Sequence, residues 1–378
     1  MDGPGPIVKA QKYHGLKIKV GLAESILWFS FLLTLLLTDL GVGLGDLALA
    51  LDSRPVFRVL SYFILTSVLF EIIGLPLTIV SGYFLEKKFG LHALSPGAWV
   101  KDLAKAWLAG LVLGAGAVEV FHLCLLRAGD WWWLAAGLVF FFFIVLPTRL
   151  APALLSPLIF KFRPLPDGAL AGRLKDLCKK AGVEIAGIYE WEFATKTKKA
   201  EASVVGRGAS RRVVLPDSPR ERFTPSELEV IVAHELGHLV HGHNRLLTVI
   251  QGSAAFLVFY AGSRLFDLLA PWFQVGSTRD LTSLPLLALI FSLLVLFFAP
   301  AVNGLSRRLE RRADLFALEL TGLVGSFISF RERLAAVNLA PLNPHPLVVF
   351  LLHSQPAPAA RIAAAKDFLH RSKERASS

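Results

Sequence analysis

VIVAHELGHLVHGHN, residues 230–244, places four histidines and one glutamate between His234 and His243. Residues i and i+4 of an α-helix share a face, so His234 and His238 point the same way and can chelate one metal ion. Glu235 stands beside them, where it can polarise a metal-bound water. This is the HExxH pattern of zinc-peptidase helices. A helix start lies just upstream. Thr224 suits the N-cap, Pro225 the first helical position, and Glu227 closes a capping box. Gly237 leaves room close to the metal.

A catalytic zinc takes three protein ligands and keeps one position open. Metzincins supply the third from HExxHxxGxxH and add a methionine turn. Here His241 occupies the glycine position and Asn244 the third histidine position, and the single methionine is Met1. An intramembrane site-2-type protease would bury HExxH in one span and carry Asp-Gly in a later one. This helix follows a polar region instead, and no Asp-Gly comes after it. The remaining candidates are downstream carboxylates. SRRLERRADLFALEL, 306–320, reads as a helix offering Glu310, Asp314 and Glu319. Glu310 can bind zinc, and Asp314, one turn on, can accept the outer N–H of a ligand histidine. His241 and His243 lie just past the metal face, near the membrane surface, with backbone or phosphate as their expected partners.

Composition sets the surroundings of this site. Of 378 residues, 54% are hydrophobic and 18% charged, and mean hydropathy is +0.56. A water-soluble chain of this size could not hide so much apolar surface, so lipid is part of its solvent. Two cysteines, Cys124 and Cys178, are too few for a disulfide framework or a cysteine zinc cluster. The formal charge of +11 comes from basic residues flanking apolar segments, which fits anionic lipid rather than nucleic acid. The first twenty residues do not read as a cleavable signal.

A bilayer core needs about 20 apolar residues per helix. Six such spans are expected, at Leu22–Leu40, Leu60–Phe84, Leu103–Leu126, Trp131–Leu150, Leu246–Leu269 and Leu284–Val302. Lysines and arginines gather before the first span, between the second and third, after the fourth and after the sixth. By the positive-inside rule both termini and residues 151–245 are cytoplasmic. The expected organisation is a four-span membrane region (1–150), a cytoplasmic zinc-peptidase part (151–245), a transmembrane hairpin (246–302) and a helical C-terminal part (303–378). The hairpin would return Glu310 to the membrane face that holds the histidines. Within the polar region, 173–182 reads as a helix stopped by Gly182, and 187–193, 202–206 and 211–216 read as strands. Asp39, Glu71, Glu119 and His122 lie inside spans and read as structural pairs or side chains snorkelling to an interface.

HELGH with His243, followed by SRRLERRADLFA, resembles the type I CAAX prenyl proteases, which are integral-membrane zinc metallopeptidases with the pattern HELGHxxxxH…SRxxExxADxxA. Residues 74–91, 146–170 and 211–218 are also similar to family segments. The resemblance covers roughly 60–368. It implies a mainly α, polytopic membrane protein. A ring of transmembrane helices would enclose a chamber, with a cytoplasmic gluzincin-type zinc metallopeptidase domain containing a small β-sheet. It implies one Zn2+ per chain on His234, His238 and Glu310, Glu235 as catalytic base, and Asp314 outside the ligands. It implies cleavage near the C-terminus of prenylated CAAX peptides. Three departures stand out. The family has seven spans, not six. Glu201-Ala202-Ser203 replaces the family's Asn-Ala-Tyr in the substrate-facing strand. SQPAPAARI, 354–362, keeps Pro356 and Arg361 but puts Gln355 where the family has histidine. Gln355 as an amide donor, or His353 reaching in, are the two replacements open.

The expected substrate is a peptide or membrane-associated protein, prenylated or not, paired along an exposed strand edge at Glu201, Ala202, Ser203 and Val204. Membrane lipids are expected partners, nucleic acid is not, and no oligomer is required. The alternatives are a heat-shock-type quality-control protease of membrane proteins and, from another class, a non-catalytic binder of lipidated partners. The binder would need a broken site, whereas Glu235 and the proposed ligands are all present.

Overall fold

The computed structural model describes residues 6–91, 94–150, 162–166, 168–191, 202–206, 208–215 and 223–377. It divides into two compact units, one of Lys12–Phe142 with Ser253–Phe298, the other of Met1–Gln11, Phe143–Gly252 and Ala299–Ser378.

The first unit is built from long apolar helices. They are α1 (Pro6–Leu37), α2 (Leu40–Leu51), α3 (Pro55–Ile79), α4 (Pro96–Arg127) and the start of α5 (Trp132–Leu150), joined by stretches of α8 (His243–Leu269) and α9 (Ser283–Thr321). A π-turn at Val80–Phe84 carries α3 on to Phe89. Five described helices are long and apolar enough to cross a membrane. They contain four of the six expected spans whole and most of the first. The fourth expected span forms α5, whose 19 residues reach about 28 Å, close to one hydrocarbon thickness. The first span differs from expectation. Its helix begins well before Leu22 and ends at Leu37, and the chain turns at Thr38-Asp39 into α2. A Cβ on Gly41 would strike the Leu35 carbonyl, so this tight turn requires glycine. At 12 residues α2 is too short to register as a span. The unit is pinned by polar contacts among its helices: Trp28 Nε1 donates to Ser292 Oγ at 3.0 Å, and Tyr13 Oη donates to Glu86 at 2.7 Å.

The second unit holds a four-stranded sheet. The strands are β1 (Phe162–Pro164), β2 (Gly187–Trp191), β3 (Ser203–Val205) and β4 (Arg212–Leu215), in spatial order β1-β2-β4-β3. β1 runs antiparallel to β2, β2 parallel to β4, and β3 antiparallel to β4, which leaves β3 at an edge. The three expected strands form within their predicted ranges. β1 was not expected, because three residues ending in Pro164 carry no alternation to read. α6 (Ala169–Lys180) and α7 (Pro225–Val240) supply Leu170, Leu174, Leu177, Leu228, Ile231 and Leu236 to a core shared with Ile188, Val213 and Leu215. Gly182, at φ 68°, takes the left-handed conformation just beyond α6. α10 (Val324–Val337), α11 (Pro346–Leu352) and α12 (Pro358–Ser377) complete the unit.

The start of α7 matches its sequence signature. Thr224 Oγ1 accepts from Glu227 N, and Glu227 Oε2 accepts from Thr224 N at 2.8 Å. Glu227 is buried, and its other oxygen accepts from Ser329 Oγ at 2.7 Å, tying α7 to α10. Replacing this carboxylate by alanine removes both the cap and the tie to α10, a cost of about 2–3 kcal/mol. Glu227→Ala should lower the apparent Tm of the detergent-solubilised protein by about 5 °C. An unchanged Tm would show that this anchor is dispensable.

Candidate active site

Two helices bring the site together. Gly237 sits on the face of α7 turned towards α9. A Cβ there would lie 3.1 Å from both Ala313 Cα and Phe316 Cδ1. The room that the sequence reading reserved for metal at Gly237 is therefore filled by α9. This close approach sets Glu310 opposite the histidines. His234 Nε2 is 3.4 Å from Glu310 Oε2, and His238 Nε2 is 3.3 Å from Glu310 Oε1. The two Nε2 atoms are 3.2 Å apart. One ligand atom from each residue lies within 4.8 Å of the others, and among the described residues this is the one His/Cys/Asp/Glu group close enough to hold a metal ion.

The donor set fits a cation. Two imidazole nitrogens and a carboxylate converge, and Glu310 Oε2 is buried without a hydrogen-bond partner. Two histidines with one carboxylate form a known catalytic zinc set. Burial pulls the His238 imidazole down, but the Glu310 carboxylate, with Glu235 in support, outweighs it and holds His238 above its ordinary value. Glu235 is half-buried and lines the same cleft.

Behind the ligands lies a charged cluster. Asp314 Oδ1 is 3.0 Å from His234 Nδ1. Arg331 Nη2 donates to Asp314 Oδ1 at 2.8 Å, and Arg361 Nε donates to Oδ2 at 2.6 Å. Arg361 also reaches within 3.4 Å of Glu310. Asp314 thus occupies the position predicted for it, and Arg361 joins it. Arg331 was not predicted. It is buried against the rings of Phe327 and Phe330, each 5.0 Å from its guanidinium. Burial, then the neighbouring Arg361, push it down to about 10, against the pull of Asp314 and Glu310. Its signal in the sequence is faint: an arginine on the apolar face that Phe327 and Phe330 define.

The other candidates separate. His243 is fully buried, with Nδ1 3.0 Å from His238 Nδ1, so it backs a ligand histidine rather than facing the membrane surface. If His238 turns Nε2 to the metal, its Nδ1–H donates and His243 accepts. His241 Nδ1 donates to the Gly237 carbonyl at 2.9 Å, the backbone role expected of it. Gln355 and Arg361 line the cleft together with Ala202, Ser203 and Val204 beside edge strand β3. His353 is not among the lining residues, and its carbonyl accepts from Arg307 Nη1. Glu201 lies outside the described residues. The cleft volume is about 380 Å³.

Residues 164–368 match the model of peptidase family M48. The chain belongs to that family. Residues 6–161 match the family's CAAX prenyl protease N-terminal region, described as five membrane helices. Residues 6–150 fold into five apolar helices once the short α2 is counted. The chain is 27% identical to an uncharacterised metalloprotease of Bacillus subtilis, covering 95% of this chain and 85% of that protein. It is 24% identical to CAAX prenyl protease 1 of Saccharomyces cerevisiae, covering 94% and 84%. The crystal structure of S. mikatae Ste24p shares its fold, with a TM-score of 0.82 at 22% identity over 95% of this chain and 89% of that one. The protein is an integral-membrane metallopeptidase of mainly helical fold with a small sheet, and its substrates are peptides or proteins.

Asp314→Asn keeps the shape but removes the charge that fixes His234 and balances two buried arginines. Metal affinity, measured by competition with a chromogenic chelator, should fall about 10- to 100-fold. Wild-type affinity in this variant would remove Asp314 from the metal's support.

Proposed function

We propose that the protein is a zinc endopeptidase acting at the cytoplasmic face of the membrane, with prenylated CAAX-type polypeptides as its substrates. The observation that carries this reading is the convergence of His234, His238 and Glu310 in one cleft with Glu235. His234, His238 and Glu310 hold one zinc ion. When bound, zinc supplies Lewis acidity, lowering the pKa of a water and polarising a peptide carbonyl. The chain's own groups do the rest. Glu235 takes the proton of the attacking water and delivers it to the leaving amine. Asp314 orients His234, and His243 orients His238. Gln355, a neutral amide in the cleft, donates to the carbonyl oxygen as charge develops there.

Edge strand β3 gives the substrate a backbone to pair with, and Ala202, Ser203 and Val204 place that edge beside the metal ligands. Pairing of this kind reads main chain, so it fixes register without demanding a sequence. The CAAX assignment is supported by the N-terminal family match and by the yeast relative's name. The cytoplasmic side is supported by the lysines and arginines that flank the spans.

Incubation with a farnesylated CAAX peptide, followed by mass spectrometry, tests the reading. Wild type should release the C-terminal tripeptide. Glu235→Gln should retain zinc and lose 10²-fold or more in rate, as expected when a general base is removed. A fully zinc-loaded wild type that leaves this peptide intact would sink the CAAX assignment while leaving the metal site in place.

A further inference from the structure

Behind the catalytic cluster lies a second cavity, of about 630 Å³, between α9 and α12. Arg307, Arg311 and Arg371 stand around it, and Asp314 and Arg361 form part of its wall. Asp314 is already committed to Arg361 and Arg331. Asp367 is the other carboxylate lining the space. Among the described residues none of Arg307, Arg311 and Arg371 has a carboxylate at ion-pair distance. Arg311 Nε and Arg371 Nε donate to carbonyls one turn back on their own helices, at 3.2 and 3.3 Å. Among the described residues their terminal nitrogens have no hydrogen-bond or ion-pair partner. Asp367 alone stands against these three arginines, so the cavity lining keeps an excess of positive charge.

Its position along the chain says where that charge sits. The apolar run of α9 ends at Val302, and Arg307 and Arg311 occupy the next turns. At the same level α9 holds α11. Asn303 Nδ2 donates to the Leu351 carbonyl at 2.9 Å, and Arg307 Nη1 donates to the Val349 carbonyl at 2.9 Å. α11 is a short apolar helix whose Leu347, Phe350 and Leu352 are each more than half exposed. An apolar helix fixed where a transmembrane helix leaves the hydrocarbon, beside unpaired arginines, is the arrangement of an interfacial lipid contact.

We propose that this cavity binds the phosphate headgroup of an anionic phospholipid, with α11 lying in the interface beside its acyl chains. The phosphodiester takes Arg311 and Arg371, bidentate geometry suiting guanidinium. This inference rests on α9 crossing the membrane and not on the peptidase reading. Arg361, in the cavity wall, also touches Asp314 and Glu310, so the bound lipid lies one residue from the metal's support.

Native mass spectrometry of the delipidated full-length protein in detergent tests it, with phosphatidylglycerol and phosphatidylcholine as probes. Wild type should retain phosphatidylglycerol at least 10-fold better. Arg311→Gln with Arg371→Gln should weaken that retention about 25-fold, some fivefold for each cation at a membrane surface, and leave phosphatidylcholine unchanged. The charge-keeping pair Arg311→Lys and Arg371→Lys should restore most of the preference. Should the glutamine pair fail to fold, the wild-type lipid preference and its loss in high salt decide the matter. Equal retention of the two lipids by wild type would overturn the proposal. Displacement of phosphatidylglycerol by millimolar inorganic phosphate would overturn it in favour of a small-anion site.

Discussion

The buried carboxylate of Asp314 is the constraint around which the catalytic unit is built. It touches His234 on α7, Arg331 on α10 and Arg361 on α12, while itself belonging to α9. A charge taken out of water must be paired, and removing one partner from a buried pair costs about 3–5 kcal/mol. Four helices are therefore held to one point by a single oxygen pair. The C-terminal helices, which supply no metal ligand, become part of the site because Arg331 and Arg361 balance the charge that aligns His234. The Phe327 and Phe330 rings, each 5.0 Å from the Arg331 guanidinium, stiffen this arrangement through cation–π attraction.

The second constraint is the approach of α7 to α9 at Gly237 and Ala313. Without it Glu310 would stand a side chain's width further from the histidines. α9 runs unbroken through 39 residues, so the helix that bears the membrane-crossing apolar run also bears Glu310 and Asp314. Glu310 thus stands on a helix continuous with an apolar run, while His234 and His238 stand on a helix packed on the sheet.

Much of this was legible in the sequence. His234, His238, Glu310 and Asp314 stand out because helical spacing alone decides which of them share a face. The capping box at Thr224 and Glu227 is equally local. The five long apolar helices are legible because lipid demands a length that few other structures need. What escaped depends on tertiary contact. Arg331 shows no motif of its own, and its role exists only because α10 packs its apolar face inward beneath Asp314. α2 escaped because it is half a span long. The burial of His243 against His238 follows from the turn at His241-Gly242, where Gly242 is left-handed at φ 64°, and it cannot be read from periodicity. Gly237 was expected to leave room for the metal, whereas its open face is taken up by Ala313 and Phe316 of α9.

Two histidines of α7 and one glutamate of α9 are proposed to form a single zinc site. X-ray absorption at the zinc edge on the purified, zinc-loaded protein tests it most directly. The account predicts a first shell of nitrogen and oxygen only, at about 2.0–2.2 Å, with outer-shell scattering from two imidazoles. A sulfur shell at about 2.3 Å, or scattering from one imidazole alone, would contradict it.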